Sequence, residues 1–138
     1  MKTMYCVLIF SLLFLSCKKE PISVDTTQTI TLTGNWQWIR SSGGIGGGII
    51  VPSASTVVIQ AYTSDGMFSE SRNDTMKMTS RYSIKKQRTI YSADSLNMID
   101  YQDSTITKQV ILYLSTDTLG LGDNMYDGYE TFYKRVSR

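Results

Sequence analysis

The chain has no histidine, and its two cysteines, Cys6 and Cys17, both fall within the first 17 residues. Beyond Cys17, a Ser-His-Asp triad, a Cys-His dyad and the usual zinc sites cannot be assembled, because each needs an imidazole or a thiolate. No disulfide can form there either. What acid-base chemistry remains belongs to carboxylates. Glu70 and Glu130 are the only glutamates after Glu20, and most of the nine aspartates stand beside Gly, Asn, Ser or Thr, where turns use them. A glycosidase would need two such groups to converge; turn-forming aspartates are the reading this composition favours, so no enzyme is expected. The segment Asp123 to Gly128, DNMYDG, begins like a calcium loop but has Met125 at position three and Lys134 at position twelve. Neither metal nor cofactor is expected from it.

A charge excess of one sign is also missing. The chain has 14 Lys and Arg against 12 Asp and Glu. Arg72, Arg81, Lys85, Lys86 and Arg88 are interleaved with Glu70, Asp74 and Asp94, so nucleic acid would meet no basic stripe. A phosphate-cradling loop is excluded letter by letter. The stretch SSGGIGGGIIVPS, Ser41 to Ser53, holds five of the ten glycines. The dinucleotide pattern started at Gly44 needs a glycine where Ile49 stands, and the Walker pattern started at Gly43 needs Lys and Ser or Thr where Ile49 and Ile50 stand.

Long hydrophobic runs are limited to one, Met4 to Leu15, preceded by Lys2. Twelve residues are too few to cross a bilayer as a helix, which takes about 20, so the run reads as a secretion signal. Leu15-Ser16-Cys17 follows and resembles a bacterial lipobox, with Phe14 where Leu, Val or Ile is commoner. The resemblance implies cleavage after residue 16 and acylation of Cys17, palmitate included; an ordinary signal peptide with a chance cysteine is the alternative. Two or three acyl chains, at about 0.8 kcal/mol per buried methylene, would hold the protein on a membrane. Lys18 after the cysteine, in place of an inner-membrane aspartate, points to the outer membrane, facing either the periplasm or the cell surface.

Cleavage leaves 122 residues, enough for one domain with one core. Residues 17–30 are polar and carry Pro21, and they read as an acylated start and a tether. From Thr31 the chain breaks into short stretches rich in Val, Ile, Thr, Tyr and Trp, and no apolar 3.6-residue period lasts three turns. That predicts an all-β domain over residues 31–138. Strands are expected at 35–41, 56–63, 67–72, 76–85, 96–101, 105–115 and 129–136, with either 89–92 or 118–122 as the eighth. Turn residues at Ser64 to Gly66, Arg72 to Asp74, Tyr101 to Asp103 and Gly122 to Asn124 join neighbours. Eight strands in a meander close most economically into an antiparallel up-and-down barrel. The glycine stretch is expected to be a long, open link at its mouth.

LTGNWQWIRSSGG near the start, DTLGLGD late and DGYETFYKR at the end are similar to the small lipocalin-like domain common among bacterial lipoproteins of unassigned role. The resemblance spans about Leu32 to Arg135. It implies that Trp36, in Gly34-Asn35-Trp36, is capped by Arg135, a guanidinium on an indole worth about 0.5–2 kcal/mol. An eight-stranded barrel is just wide enough to be filled by side chains or to admit one small ligand, and the leading expectation is that it binds a small, partly apolar molecule. With 103 residues from Gly34 to Val136 for eight strands, the cavity should be small. Alternation places Trp36, Trp38 and Arg40 on one face of the first strand, and Val57, Ile59 and Ala61 on one face of the second. From these the expected lumen is Trp38, Val57 and Ile59. The alternative is a filled barrel acting as a protein-interaction or inhibitor module of the envelope, with Tyr126, Tyr129, Met67 and Phe68 at its surface; a monomer is expected in either case. Asp followed by Ser or Thr and then an apolar residue or Thr recurs from Asp25, Asp74, Asp94, Asp103 and Asp117. This resembles an envelope O-glycosylation signal, and turn-then-strand grammar produces the same pattern.

Overall fold

The computed structural model describes residues 31–137. The expected leader, Cys17 and the tether lie outside them. No helix occurs among the described residues. The strands are β1 (Gly34–Gly43), β2 (Gly48–Ile50), β3 (Val58–Tyr62), β4 (Met67–Arg72) and β5 (Thr75–Thr89), then β6 (Ser92–Tyr101), β7 (Gln109–Leu114), β8 (Thr118–Asp123) and β9 (Tyr129–Val136). Each pairs antiparallel with the next around the sheet, and β1 with β9 closes the ring from Asn35↔Val136 to Gly43↔Tyr129. The all-β, eight-stranded meander barrel expected from the sequence is the fold of the chain. The run at 118–122 supplies the eighth strand, since Thr89 and Ser92 pair across the turn between β5 and β6.

Local chemistry explains the corners. Asn73 (φ 49°) and Asp74 (φ 60°) both adopt left-handed backbone between β4 and β5, the geometry that matches a two-residue hairpin to strand twist. The glycine stretch is a hairpin rather than an open link. Ser41 to Gly43 pair with Gly48 to Ile50, and Gly47 N–H closes the turn on Gly44 C=O at 2.9 Å. Here glycine is required twice over. Gly44 and Gly47 have φ of 73° and 62°, and a Cβ on Gly43 would lie 2.3 Å from the carbonyl oxygen of Gly128.

The core packs Trp36, Tyr62, Phe68, Ile99, Tyr101 and Tyr133 with leucines 32, 119 and 121. Its aromatic rings meet edge-on or tilted, Tyr62–Phe68 at 5.1 Å and Phe68–Tyr101 at 4.8 Å between centroids, the arrangement their quadrupoles prefer. A second apolar cluster sits outside the barrel. Ile99 faces the core, so its neighbour Met98 and the paired Val110 face outward, yet they are only 2 % and 0 % exposed. The far half of the β5–β6 hairpin bends back onto this side. Its tip is held by Ile90 N–H to Asn124 Oδ1 (3.0 Å) and Tyr91 O–H to the Asp123 carbonyl (3.0 Å).

Gly122 makes room for that tip, because a Cβ there would lie 2.7 Å from both the Tyr91 ring and Leu112 Cδ1. Gly122→Val is therefore expected to lift Tyr91 and cost about 1–3 kcal/mol. Faster amide exchange at residues 89–92, with the core strands unaffected at first, is the expected readout; unchanged exchange at the tip would count against the clamp.

Candidate functional site

One end of the barrel is sealed by β1 and β9. Trp36 is fully buried, and its Nε1–H donates to the Leu32 carbonyl at 2.8 Å. Arg135 lies over the indole with its guanidinium carbon 4.0 Å from the ring centroid. Its nitrogens donate to three backbone carbonyls, Thr116 at 2.5 Å, Thr33 at 2.7 Å and Thr31 at 2.9 Å. One planar fork thus ties the entry to β1, the last strand and the β7–β8 turn together. Gly34 belongs to the same device. At φ 141° it passes beneath Arg135, where a Cβ would fall 2.2 Å from Nη1.

The inner faces of β1 and β3 differ from simple alternation. A bulge between Trp38 and Arg40 shifts the register of β1 against β9, so Ser41 follows Trp38 on the inside and Arg40 turns outward, 4.2 Å over the Phe132 ring. In β3 the register pairs Trp36 with Gln60 and Gly34 with Tyr62. The inward set is therefore Val58, Gln60 and Tyr62, one residue out of phase with the expected Val57, Ile59 and Ala61. Val57 is 40 % exposed, and Ile59 is buried but on the opposite face from Gln60. Trp38 does face inward. It lines a small lobe of about 200 Å³ with Val58, Glu70 and Tyr133, and its Nε1–H donates to Ser41 Oγ at 3.0 Å.

A larger, half-enclosed cavity of about 560 Å³ lies on the other side of Glu70. Its opening follows from the stagger of β5. Thr75 to Arg81 pair with β4, but pairing with β6 begins only at Tyr82. The wall therefore parts beside Lys77 to Thr79, and the connection from Asp103 to Thr107 borders the gap. Phe68, Met78 and Ile106 give the cavity an apolar side; Gln60, Glu70, Gln109 and Asp123 give it a polar one. At about 560 Å³ it falls within the usual range of small-molecule sites, roughly 300–1,000 Å³, and is larger than the chain length suggests.

The polar side is one connected row of hydrogen bonds. Gln60 Nε2 donates to Glu70 Oε2 (3.0 Å), and Tyr62 O–H donates to Gln60 Oε1 (3.2 Å). Tyr62 and Tyr101 share a 2.9 Å contact, and Tyr101 Oη reaches the Gln109 side-chain amide at 3.1 Å. Burial pushes both phenols above their ordinary range, so each carries its proton at neutral pH. Among the described residues no group of three His, Cys, Asp or Glu converges to hold a metal ion. The three carboxylates around the cavity are spread along its walls.

No family model, curated protein or solved structure matches this chain. Of the site's residues, the sequence singles out Glu70, as one of two late glutamates, and Asp103 and Asp123, as turn residues; Phe68, expected at the surface, is instead buried in the core beside the cavity. Gln60 and Gln109 carry no motif; the one signal is at Gln60, a polar residue in phase with the buried Val58 and Tyr62.

Two other expected features fall elsewhere. Asp103 accepts from Thr105 N–H (2.9 Å) and Oγ1 (2.8 Å), and Asp117 accepts from Ser115 Oγ (2.8 Å) and Thr118 Oγ1 (3.0 Å). These bonds hold both carboxyls below their ordinary range, so two of the Asp-Ser/Thr repeats act as turn caps. Separately, the β1–β2 hairpin presents Ile45 (93 % exposed) with Ile49 and Val51, and Tyr126 (85 % exposed) stands on the β8–β9 connection that Gly44 N–H bonds through Gly128 C=O.

Proposed function

We propose that this protein is a membrane-anchored lipoprotein whose lipocalin-like barrel binds a small, partly apolar molecule in the cavity beside Glu70. The cavity is the observation that carries the reading. Its volume suits a small ligand, and Phe68, Met78 and Ile106 offer one face while the Gln60–Glu70 row offers another. Acylation at Cys17 and placement at the outer membrane, facing periplasm or surface, rest on the leader and the lipobox-like segment. The Trp36–Arg135 pair and the meander support kinship with lipocalin-like domains. The role needs no catalysis, no cofactor and no nucleic acid, and a monomer suffices for it.

The test is to incubate the purified mature protein with an envelope lipid extract, wash it, and identify retained molecules by mass spectrometry beside a thermal melt. A retained small molecule and a rise of several degrees in Tm are expected. An empty protein with an unshifted melt would sink the binding role. Intact mass also checks the anchor, since Cys17 should carry diacylglyceryl and further acyl mass.

A second reading, an interaction or inhibitor module of the envelope, is favoured by the apolar tip at Ile45, Ile49 and Val51. Scattered exposed side chains are ordinary, but contiguous ones mark contact surfaces. A partner recovered from envelope fractions should be lost with Ile45→Ser and Ile49→Ser together; recovery that ignores these changes would discard this reading.

A further inference from the structure

The interior row of hydrogen bonds has a direction, and the direction says what the cavity wants. A carboxylate only accepts, so the 3.0 Å contact at Glu70 fixes the Gln60 nitrogen there and turns the Gln60 carbonyl toward Tyr62. Tyr62 gives its one proton to that carbonyl. The 2.9 Å contact between the two phenols must then use the proton of Tyr101. Tyr101 has nothing left to donate, yet Gln109 Oε1 is placed 3.1 Å from its oxygen. A half-turn of the Gln109 amide exchanges Oε1 for Nε2 without moving another atom, and it restores one hydrogen per contact. The row then runs one way, from the Gln109 N–H through Tyr101, Tyr62 and Gln60 to Glu70. That leaves two spare acceptors, the Gln109 carbonyl at one end and the second carboxylate oxygen of Glu70 at the other, with one N–H remaining on each amide nitrogen; Glu70 brings the only negative charge of the row to the cavity.

We propose that the cavity takes a small organic amine, whose ammonium donates to Glu70 while its carbon skeleton lies against Phe68, Met78 and Ile106. The proposal rests on the cavity-binding role above and names the ligand class for it. Charge agrees: Glu70, Asp103 and Asp123 line the space with Lys77 as the one cation. Asp103 and Asp123 already take backbone donors, from Thr105 N–H (2.9 Å) and Tyr129 N–H (3.2 Å), so they act through their field more than through direct contact. A ligand carboxylate or phosphate would meet three carboxylates against the one ammonium of Lys77.

Calorimetric titration of the purified mature protein with 2-phenylethylamine, 2-phenylethanol and 3-phenylpropionate, matched in size, tests it. The amine is expected to bind at least about tenfold tighter than the alcohol, a charge-assisted bond being worth that much, with the carboxylate weakest. Glu70→Gln keeps an acceptor for Gln60 and should remove about tenfold of the amine affinity. Should that variant not fold, Lys77→Ala, at an exposed position, should raise amine affinity about twofold to threefold and leave the alcohol unchanged. Equal or tighter binding of 3-phenylpropionate overturns the amine assignment. An anionic molecule retained from the envelope extract does the same and leaves the binding role standing. If none of the three probes binds and the extract leaves the protein empty, both fall together.

Discussion

Trp36→Ala is expected to remove about 3–5 kcal/mol of stability, the usual cost of truncating a buried tryptophan. Three losses coincide. Loss of the indole leaves a void in the core at the sealed end, the Leu32 carbonyl loses its 2.8 Å donor, and Arg135 loses the ring it covers. Small domains have about 5–15 kcal/mol in all, so the variant should be partly unfolded near 37 °C or melt well below the parent. Urea unfolding followed by far-ultraviolet circular dichroism measures it. Trp36→Phe separates the parts: it fills most of the void but orphans the carbonyl, and should cost about 1–3 kcal/mol. A loss below 1 kcal/mol for the alanine variant would mean that this end of the barrel does not depend on the indole.

Gly34→Ala comes second, at about 3 kcal/mol, for one added methyl group. Part is backbone strain at φ 141°, about 1–3 kcal/mol for a residue with a Cβ. The rest is displacement of Arg135, whose Nη1 stands 2.2 Å from where that Cβ would go. The two shares can be told apart in the background of Arg135→Ala. There the steric share vanishes, so the added cost of Gly34→Ala should fall by about 1 kcal/mol or more, a coupling of the size seen between residues in contact. Strict additivity would show that the glycine serves its own backbone only.

Much of this protein could be read without coordinates, and the misreadings share a physical origin. Short β-rich stretches and turn residues gave the strands, and their short links gave the meander. The Trp36 and Arg135 pair came from a likeness in sequence, and the two side chains stack at 4.0 Å. The β3 faces were harder. In VVIQAY, both alternate sets are apolar apart from Gln60, so hydrophobicity favours Val57, Ile59 and Ala61. The barrel turns the other set inward, where the buried Gln60 finds a hydrogen-bond partner in Glu70 that no local pattern announces. Arg40 misleads for a different reason: a one-residue bulge reverses every later side chain on β1. The cavity is hardest of all to foresee. It exists because β5 changes partners midway along its length, and stagger between strands is a property of the closed ring.

The position of Arg135 has a mechanical consequence. Thr31 and Thr33, which it holds, stand just before β1 enters the barrel wall. A pull arriving along the preceding chain meets this guanidinium and the buried Leu32 before it reaches any strand ladder. The side opening beside Lys77 is built on β5 and the 102–108 connection, to which Arg135 makes no hydrogen bond. Any load on that segment would first have to break the bonds from Arg135 to the Thr31 and Thr33 carbonyls, at the end of the barrel away from the opening.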